Sequence, residues 1–158
     1  MIRKATLNDI PRILELLSQV NDVHAEGRPD YFIKGKRKYD EEELIKILND
    51  ATTPVFVCEE DCDIKGYAFC VIQDFSRCDN LHPDKSLYID DICVDEKYRR
   101  HGVGKKLYEY VVQFAKEERC FNITLNVWAK NPEARAFYES MGMTVQKVYM
   151  EVVLKTEK

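Results

Sequence analysis

Leu87-Tyr88-Ile89-Asp90-Asp91-Ile92-Cys93-Val94-Asp95-Glu96-Lys97-Tyr98-Arg99-Arg100-His101-Gly102-Val103-Gly104-Lys105-Lys106-Leu107 reads as a strand running through a basic, glycine-bearing turn into a helix. Residues 87–94 carry the aliphatic and aromatic side chains of a central strand, interrupted by a pair of aspartates. From Gly102 to Lys116 the period becomes helical, through Val103, Leu107, Tyr110, Val111 and Phe114. A helix N-terminus has unpaired backbone N–H groups and partial positive charge, so such a turn is a natural anion site. Glycines at 102 and 104 allow a phosphate close to the backbone. Two common phosphate motifs fail. A P-loop needs glycine where Arg99 stands and serine or threonine where Lys106 stands. A dinucleotide fingerprint needs glycine at Leu107, and the preceding strand is not the first of a βαβ unit.

Upstream, Ile2 to Ala5 reads as a first strand, and Thr6 with Asp9 forms a capping-box pattern ahead of a helix through Ile10, Ile13, Leu14, Leu17 and Val20. Asn21 to Tyr39, with Gly27, Pro29, Gly35 and many charges, reads as a long loop or irregular helical connection, and loops of that length often carry function. Asp40 is positioned to cap a second helix, buried through Leu44, Ile45, Ile47 and Leu48. Pro54–Glu59 and Ile64–Gln73 read as a hairpin around the polar turn 60–63. A polar loop, Phe75 to Ser86, leads into the central strand. Downstream, Phe121–Trp128 reads as a strand and Asn131-Pro132-Glu133 opens a helix ending at Met141 and Gly142. Thr144–Leu154 is expected to supply the last strand or two. The order implies an α/β chain of the α+β kind, a mixed sheet with helices on both faces.

The 158 residues suit one domain, 1–158, and a composition 45% hydrophobic and 33% charged is that of an ordinary globular chain. A net charge of -4 gives no general attraction to nucleic acid, although Arg99–Lys106 is a local basic cluster. No apolar run reaches membrane-spanning length and residues 1–9 contain no signal-peptide core, so the expected location is cytoplasmic, without a membrane partner. Cys58, Cys62, Cys70, Cys78, Cys93 and Cys120 are scattered and read as free thiols. Cys58 and Cys62 have no second Cys/His pair at ligand spacing, so no metal is expected.

The pattern Arg99-x-x-Gly102-x-Gly104, followed by Asn131-x-x-Ala134-x-x-Phe137-Tyr138-x-x-x-Gly142-Met143, resembles the GCN5-related N-acetyltransferase (GNAT) family over nearly the whole chain. The resemblance implies a GNAT-like fold with a mostly antiparallel central sheet, and acetyl-CoA as co-substrate without a metal. It implies that the main chain of Ile92 and Val94 pairs with pantetheine. Arg99, Arg100, His101, Gly102, Val103, Gly104 and Lys105 would hold the pyrophosphate, with Asn131 and Ala134 beside the pantetheine arm.

Acetylating an amine requires removing a proton from a group with an unperturbed pKa of ~10 before attack. Asp90 and Asp91 are the candidate bases. Strand alternation sends them to opposite faces unless a bulge intervenes, and the family often has a bulge there. By likeness to polyamine-type members, Asp90 is the base or water relay and Asp91 the contact for a cationic substrate. Tyr138 stands where the family places the acid that protonates the departing thiolate, and main-chain N–H groups near Ile92 are candidate oxyanion donors. An acyl-cysteine route is disfavoured, because neither Cys93 nor Cys120 has a histidine partner in sequence. Asn21–Tyr39, with His24, Arg28, Tyr31 and Phe32, is the expected acceptor-side segment. The acidic pair favours a cationic amine, polyamine or protein amine. The competing reading is a CoA-binding regulatory module without turnover. Homodimers are common in the family.

Overall fold

The computed structural model describes residues 1–155. One five-stranded sheet carries β1 (Ile2–Lys4), β2 (Val55–Glu60), β3 (Asp63–Asp74), β4 (Lys85–Val94) and β5 (Ile123–Leu125) in chain order. Neighbours are antiparallel except β4 and β5, which run parallel. Helices α1 (Ile10–Gly27) and α2 (Glu41–Leu48) cover one face, and α3 (Val103–Glu117) and α4 (Pro132–Ser140) the other. The mixed sheet with helices on both faces is therefore as expected. Among the described residues no helix is long and apolar enough to cross a membrane.

Local chemistry explains most boundaries. Thr6 and Asp9 close a capping box around the 3-10 turn Leu7–Asp9, and Arg3 adds a two-pronged contact to the Asp9 carboxylate at 2.9 Å. Asp40 accepts from the Glu43 N–H at 2.8 Å while Glu43 reaches back to the Asp40 N–H at 2.8 Å, which starts α2. The β2–β3 hairpin turns on Asp61 and Cys62 with φ of 55° and 60°, a two-residue turn whose twist matches that of its strands.

The first core packs Ile10, Ile13, Leu16 and Leu17 of α1 and Leu44 of α2 against Val55, Val57, Tyr67 and Phe69. The second packs Val103, Leu107 and Val111 of α3 against Phe56, Ala68, Leu87 and Ile89. Gly66 makes that approach possible, since a Cβ there would stand 2.6 Å from the Cys93 carbonyl oxygen and 3.2 Å from Leu107. Buried Asp95 ties the layers together. It accepts from the Lys97 N–H at 3.0 Å and from the Arg12 guanidinium, whose Nε also donates to the Ile64 carbonyl at 3.1 Å.

Three element readings need correction. Residues 21–27 belong to α1, because Asn21 and Asp22 do not break the helix but reach outward to the Ile33 carbonyl (2.8 Å) and the Gly35 N–H (3.0 Å). The strand expected over 121–128 is confined to Ile123–Leu125, since the chain leaves β4 after Leu125. Thr144–Leu154 forms no strand ladder among the described residues and lies exposed.

Removing the carboxylate of Asp95 leaves the Arg12 guanidinium without its buried partner. Asp95→Ala is expected to cost about 3 kcal/mol of folding stability, read from denaturant titration. A cost below about 1 kcal/mol, the range of an exposed pair, would show that the link carries little.

Candidate active site

The strand β4 has two different environments along its length. Leu87, Tyr88 and Ile89 pair with Ile123, Thr124 and Leu125 of β5, and from Asp90 onward β4 has no ladder partner on that side. On its other edge it stays paired with β3 as far as Gly66 and Val94. The Asp95 N–H donates to the Lys65 carbonyl at 2.9 Å, so by alternation the main chains of Ile92 and Val94 face the parted edge. Arg99 Nε reaches the Val94 carbonyl at that edge, at 3.3 Å.

The register of β3 and β4 slips between Phe69 and Cys70, so that Asp90 is the additional residue of a bulge. Leu87 and Ile89 lie in the α3 core, whereas Cys93 lies in the α1 core. A side-chain period of two cannot produce that change of face, but an inserted residue does. Both aspartates thereby reach the α1 side. The hydroxyl of Tyr67, a neighbour of Phe69 in that core, donates to Asp91 at 2.6 Å. Lys38 Nζ and the Tyr39 hydroxyl each reach Asp90 at 2.8 Å, and Tyr39 stacks on Phe69 with ring centroids 5.7 Å apart.

The two carboxylates differ in environment. Burial pushes Asp91 up to about 6, with the neighbouring Asp90 charge adding to the rise and the Tyr67 hydrogen bond opposing it. Asp90 instead shares an ion pair with Lys38. Tyr138 lies half-buried on α4, its centroid 5.1 Å from that of Phe137 and 6.4 Å from that of Tyr108. Burial first, then the charge of Asp91, raises its pKa, so its hydroxyl stays protonated at neutral pH. Cys93 is buried with its thiol raised by desolvation, and its Sγ donates to the Leu16 carbonyl at 3.6 Å.

The turn before α3 is folded for an anion. Arg100 and Gly102 adopt positive φ, 65° and 82°, and among the described residues the backbone N–H groups of Arg100 through Lys105 donate to no protein acceptor. The first bond of the helix is Lys106 N–H to the Gly102 carbonyl, at 3.0 Å. Successive unpaired N–H groups at a helix start form an anion-binding concavity. His101 Nδ1 lies 2.9 Å from the Arg99 carbonyl, and Lys105 forms a long pair with Glu109 at 3.9 Å. Lys106 is turned away to Glu60, at 2.9 Å. Gly104 has less need to be glycine, as a Cβ there would make ordinary contact with Phe137 and Val94. Asn131 caps α4 by accepting from the Ala134 N–H at 3.2 Å.

Sequence reasoning did not find Lys38, Tyr39, Tyr67 or Trp128. Tyr67 was within reach of it, because hairpin alternation places that residue on the Phe69 face. His24 lies on α1 and not in a loop, half-buried against Phe32 at 5.0 Å, and burial lowers its basicity. Trp128 gathers Phe32 and Tyr31 at 5.1 and 5.3 Å, with the Arg28 guanidinium 5.9 Å from its ring. A cleft of about 280 Å³ lies there, lined by His24, Arg28, Trp128, Lys130 and Asn131 among others. Among the described residues no group of three His, Cys, Asp or Glu side chains is arranged to hold a metal ion.

Comparison with known proteins places this arrangement. The profile described as "Acetyltransferase (GNAT) family" matches residues 20–143. The 5-NmdU N-acetyltransferase of Pseudomonas phage PaMx11 is 34% identical over 91 residues, 58% of this chain and 57% of its own length. An uncharacterized N-acetyltransferase of Methanocaldococcus jannaschii, MJ1207, is 26% identical over 147 residues, 93% of this chain and 62% of its own. The chain thus spans less than two thirds of the length of these curated relatives. Among solved structures, a single-site mutant of the BH1408 protein from Bacillus halodurans superposes with a TM-score of 0.92 at 29% identity, covering 98% of this chain and 99% of its own. The aminoglycoside acetyltransferase meta-AAC0020, from an uncultured soil metagenomic sample, has a TM-score of 0.73 at 25% identity, covering 98% and 96%.

Asp91 gives a pH-dependent stability. A carboxyl raised to about 6 on folding favours the folded state at pH values where it is neutral, and that contribution is lost as pH rises through about 6. Asp91→Asn is therefore expected to raise the melting temperature at pH 8 and to leave it unchanged near pH 4. Equal shifts at both pH values would mean that Asp91 ionises without strain.

Proposed function

Because this chain belongs to the GNAT acetyltransferase family, we propose that it transfers the acetyl group of acetyl-CoA directly to a primary amine within a ternary complex, 1–158 acting as one cytoplasmic catalytic domain. The observation that carries the reading is the set of unpartnered N–H groups from Arg100 to Lys105 at the start of α3, next to the edge of β4 that parts from β5. The diphosphate of acetyl-CoA fits that concavity by charge and by donor number, and the open edge at Ile92 and Val94 fits an extended amide-bearing arm. Bound acetyl-CoA supplies an activated acyl group and a thiolate leaving group.

The chain's residues then divide the work. Asp91, ionised above about pH 6, accepts the proton of the attacking amine directly or through a water. Asp90, already engaged with Lys38, is the counter-charge for a cationic acceptor and not the base, the reverse of the sequence-based assignment. Tyr138 carries the proton needed at the leaving sulfur. The buried Cys93 thiol, raised above its usual range, makes a covalent acyl-enzyme route unfavourable and so supports direct transfer. Acceptors enter past Trp128, His24 and Arg28. The pair of carboxylates supports a small cationic amine, a polyamine or a protein amine, and the likeness to an aminoglycoside acetyltransferase agrees with a polycationic acceptor.

Calorimetry with acetyl-CoA followed by an amine screen read by free thiol tests the proposal. Binding with turnover on cationic amines is expected. No heat at millimolar acetyl-CoA removes the reading altogether, and binding without product for any amine identifies a regulatory CoA-binding module instead.

With an acceptor in hand, kcat/KM is expected to rise through about pH 6 to a plateau. Asp91→Asn should abolish that limb and lower the rate about 100-fold. Tyr138→Phe should lower kcat by a similar factor of about 100 while leaving KM for acetyl-CoA nearly unchanged. A phenylalanine variant with full kcat would remove Tyr138 from the chemistry.

A further inference from the structure

Lys38 occupies the place that the proposed reaction gives to its acceptor. Its Nζ lies 2.8 Å from Asp90 Oδ1, on the carboxylate read above as the counter-charge for a cationic amine. The Asp90 side chain is 15% exposed and that of Lys38 52%, so an ammonium reaches inward from solvent to a largely covered anion. Asp90 is also the residue at which β4 loses β5, and the open edge runs from there through Ile92 to Val94, beside the α3 turn. An amine held on Asp90 therefore stands at the end of that edge remote from the phosphate-binding turn. Asp91 is next to it, brought to the same face by the bulge.

The loop after α1 is anchored so as to deliver Lys38 to this point. Asn21 Nδ2 donates to the Ile33 carbonyl at 2.8 Å and the Gly35 N–H to Asp22 at 3.0 Å, which ties the loop to α1. Phe32 packs on Trp128 with ring centroids 5.1 Å apart. The Tyr39 hydroxyl donates to the second oxygen of Asp90 at 2.8 Å while its ring stacks on Phe69. Fixing Tyr39 on that carboxylate keeps Lys38 within reach of it and reduces the entropy lost on pairing. Lys34 and Lys36 are exposed on the same loop, but the ion pair of Asp90 is with Lys38.

Resting on the acetyl-transfer reading above, we propose that the chain acetylates its own Lys38 and that this modification opens the acceptor site. The Lys38 ammonium loses one proton to solvent through Asp91, and the neutral Nζ attacks the thioester carbonyl of bound acetyl-CoA. An amide C–N bond forms as the C–S bond breaks, the second nitrogen proton ends on sulfur, and CoA leaves as the thiol. Acetylated Lys38 carries no charge, so its pair with Asp90 is lost and the carboxylate is free for an external ammonium. Unmodified Lys38 competes with every cationic acceptor for Asp90.

Incubating the intact chain with acetyl-CoA alone and then cleaving before aspartate yields the peptide 30–39, Asp-Tyr-Phe-Ile-Lys-Gly-Lys-Arg-Lys-Tyr. Its fragmentation is expected to place one acetyl group on Lys38, at a rate independent of protein concentration and roughly tenfold or more above that at Lys34 and Lys36, which report uncatalysed acylation. Without acetyl-CoA, calorimetry with tetramethylammonium, which cannot be acetylated, reads the carboxylate directly. Lys38→Gln, which resembles the acetylated side chain, should bind it about fivefold more tightly than the intact chain, and Lys38→Arg, which keeps the charge, should not. An unmodified Lys38 in a chain that acetylates added amines overturns self-acetylation and leaves the transferase reading standing. A chain that binds acetyl-CoA and acetylates neither removes both. Equal labelling of the three lysines, or equal affinity of the intact and Lys38→Gln chains for tetramethylammonium, also overturns the proposal.

Discussion

The parting of β4 from β5 after Ile89 is the constraint on which the rest of the molecule depends. Sheet neighbours normally satisfy one another's backbone groups along their length. Here β4 keeps its β3 partner and gives up β5, which leaves a strand edge inside the fold and not at its rim. An extended, amide-bearing ligand can complete that edge. The turn at the start of α3 lies against the Val94 end of β4, through Arg99 and Gly104.

The bulge at Asp90 is the second half of the arrangement. It brings two carboxylates to one face and lets the rest of the sheet differentiate them. Asp91 faces the buried Tyr67 and is raised to about 6, while Asp90 remains in an ion pair with Lys38. A third carboxylate, Asp95, is buried, and against desolvation the Lys97 N–H and the Arg12 guanidinium lower its pKa. Asp95 therefore serves structure, while Asp91, raised by desolvation that its Tyr67 hydrogen bond only partly opposes, is available for chemistry.

The exposed terminal segment and the half-covered α4 follow from the same economy of edges. The sheet ends on a three-residue strand, β5, and residues 144–154 lie exposed beyond α4.

Local signals were sufficient for much of this. The basic glycine-bearing turn, the Asp40 and Asn131 caps, the Asp61-Cys62 hairpin and the helical periods from Ile10 and Val103 are short-range patterns, and each formed where its residues predicted. The glycine-bearing turn with the Asn131–Tyr138 spacing also identified the family. Long-range contacts decided the remainder. Whether Asn21 and Asp22 end a helix depends on the loop they bond, and whether 121–128 stays in the sheet depends on where β4 diverges. The roles of Asp90 and Asp91 belong to the same class. Adjacent, chemically identical residues cannot be told apart from sequence, because only the register slip and the positions of Lys38, Tyr39 and Tyr67 give them different solvent and different charge.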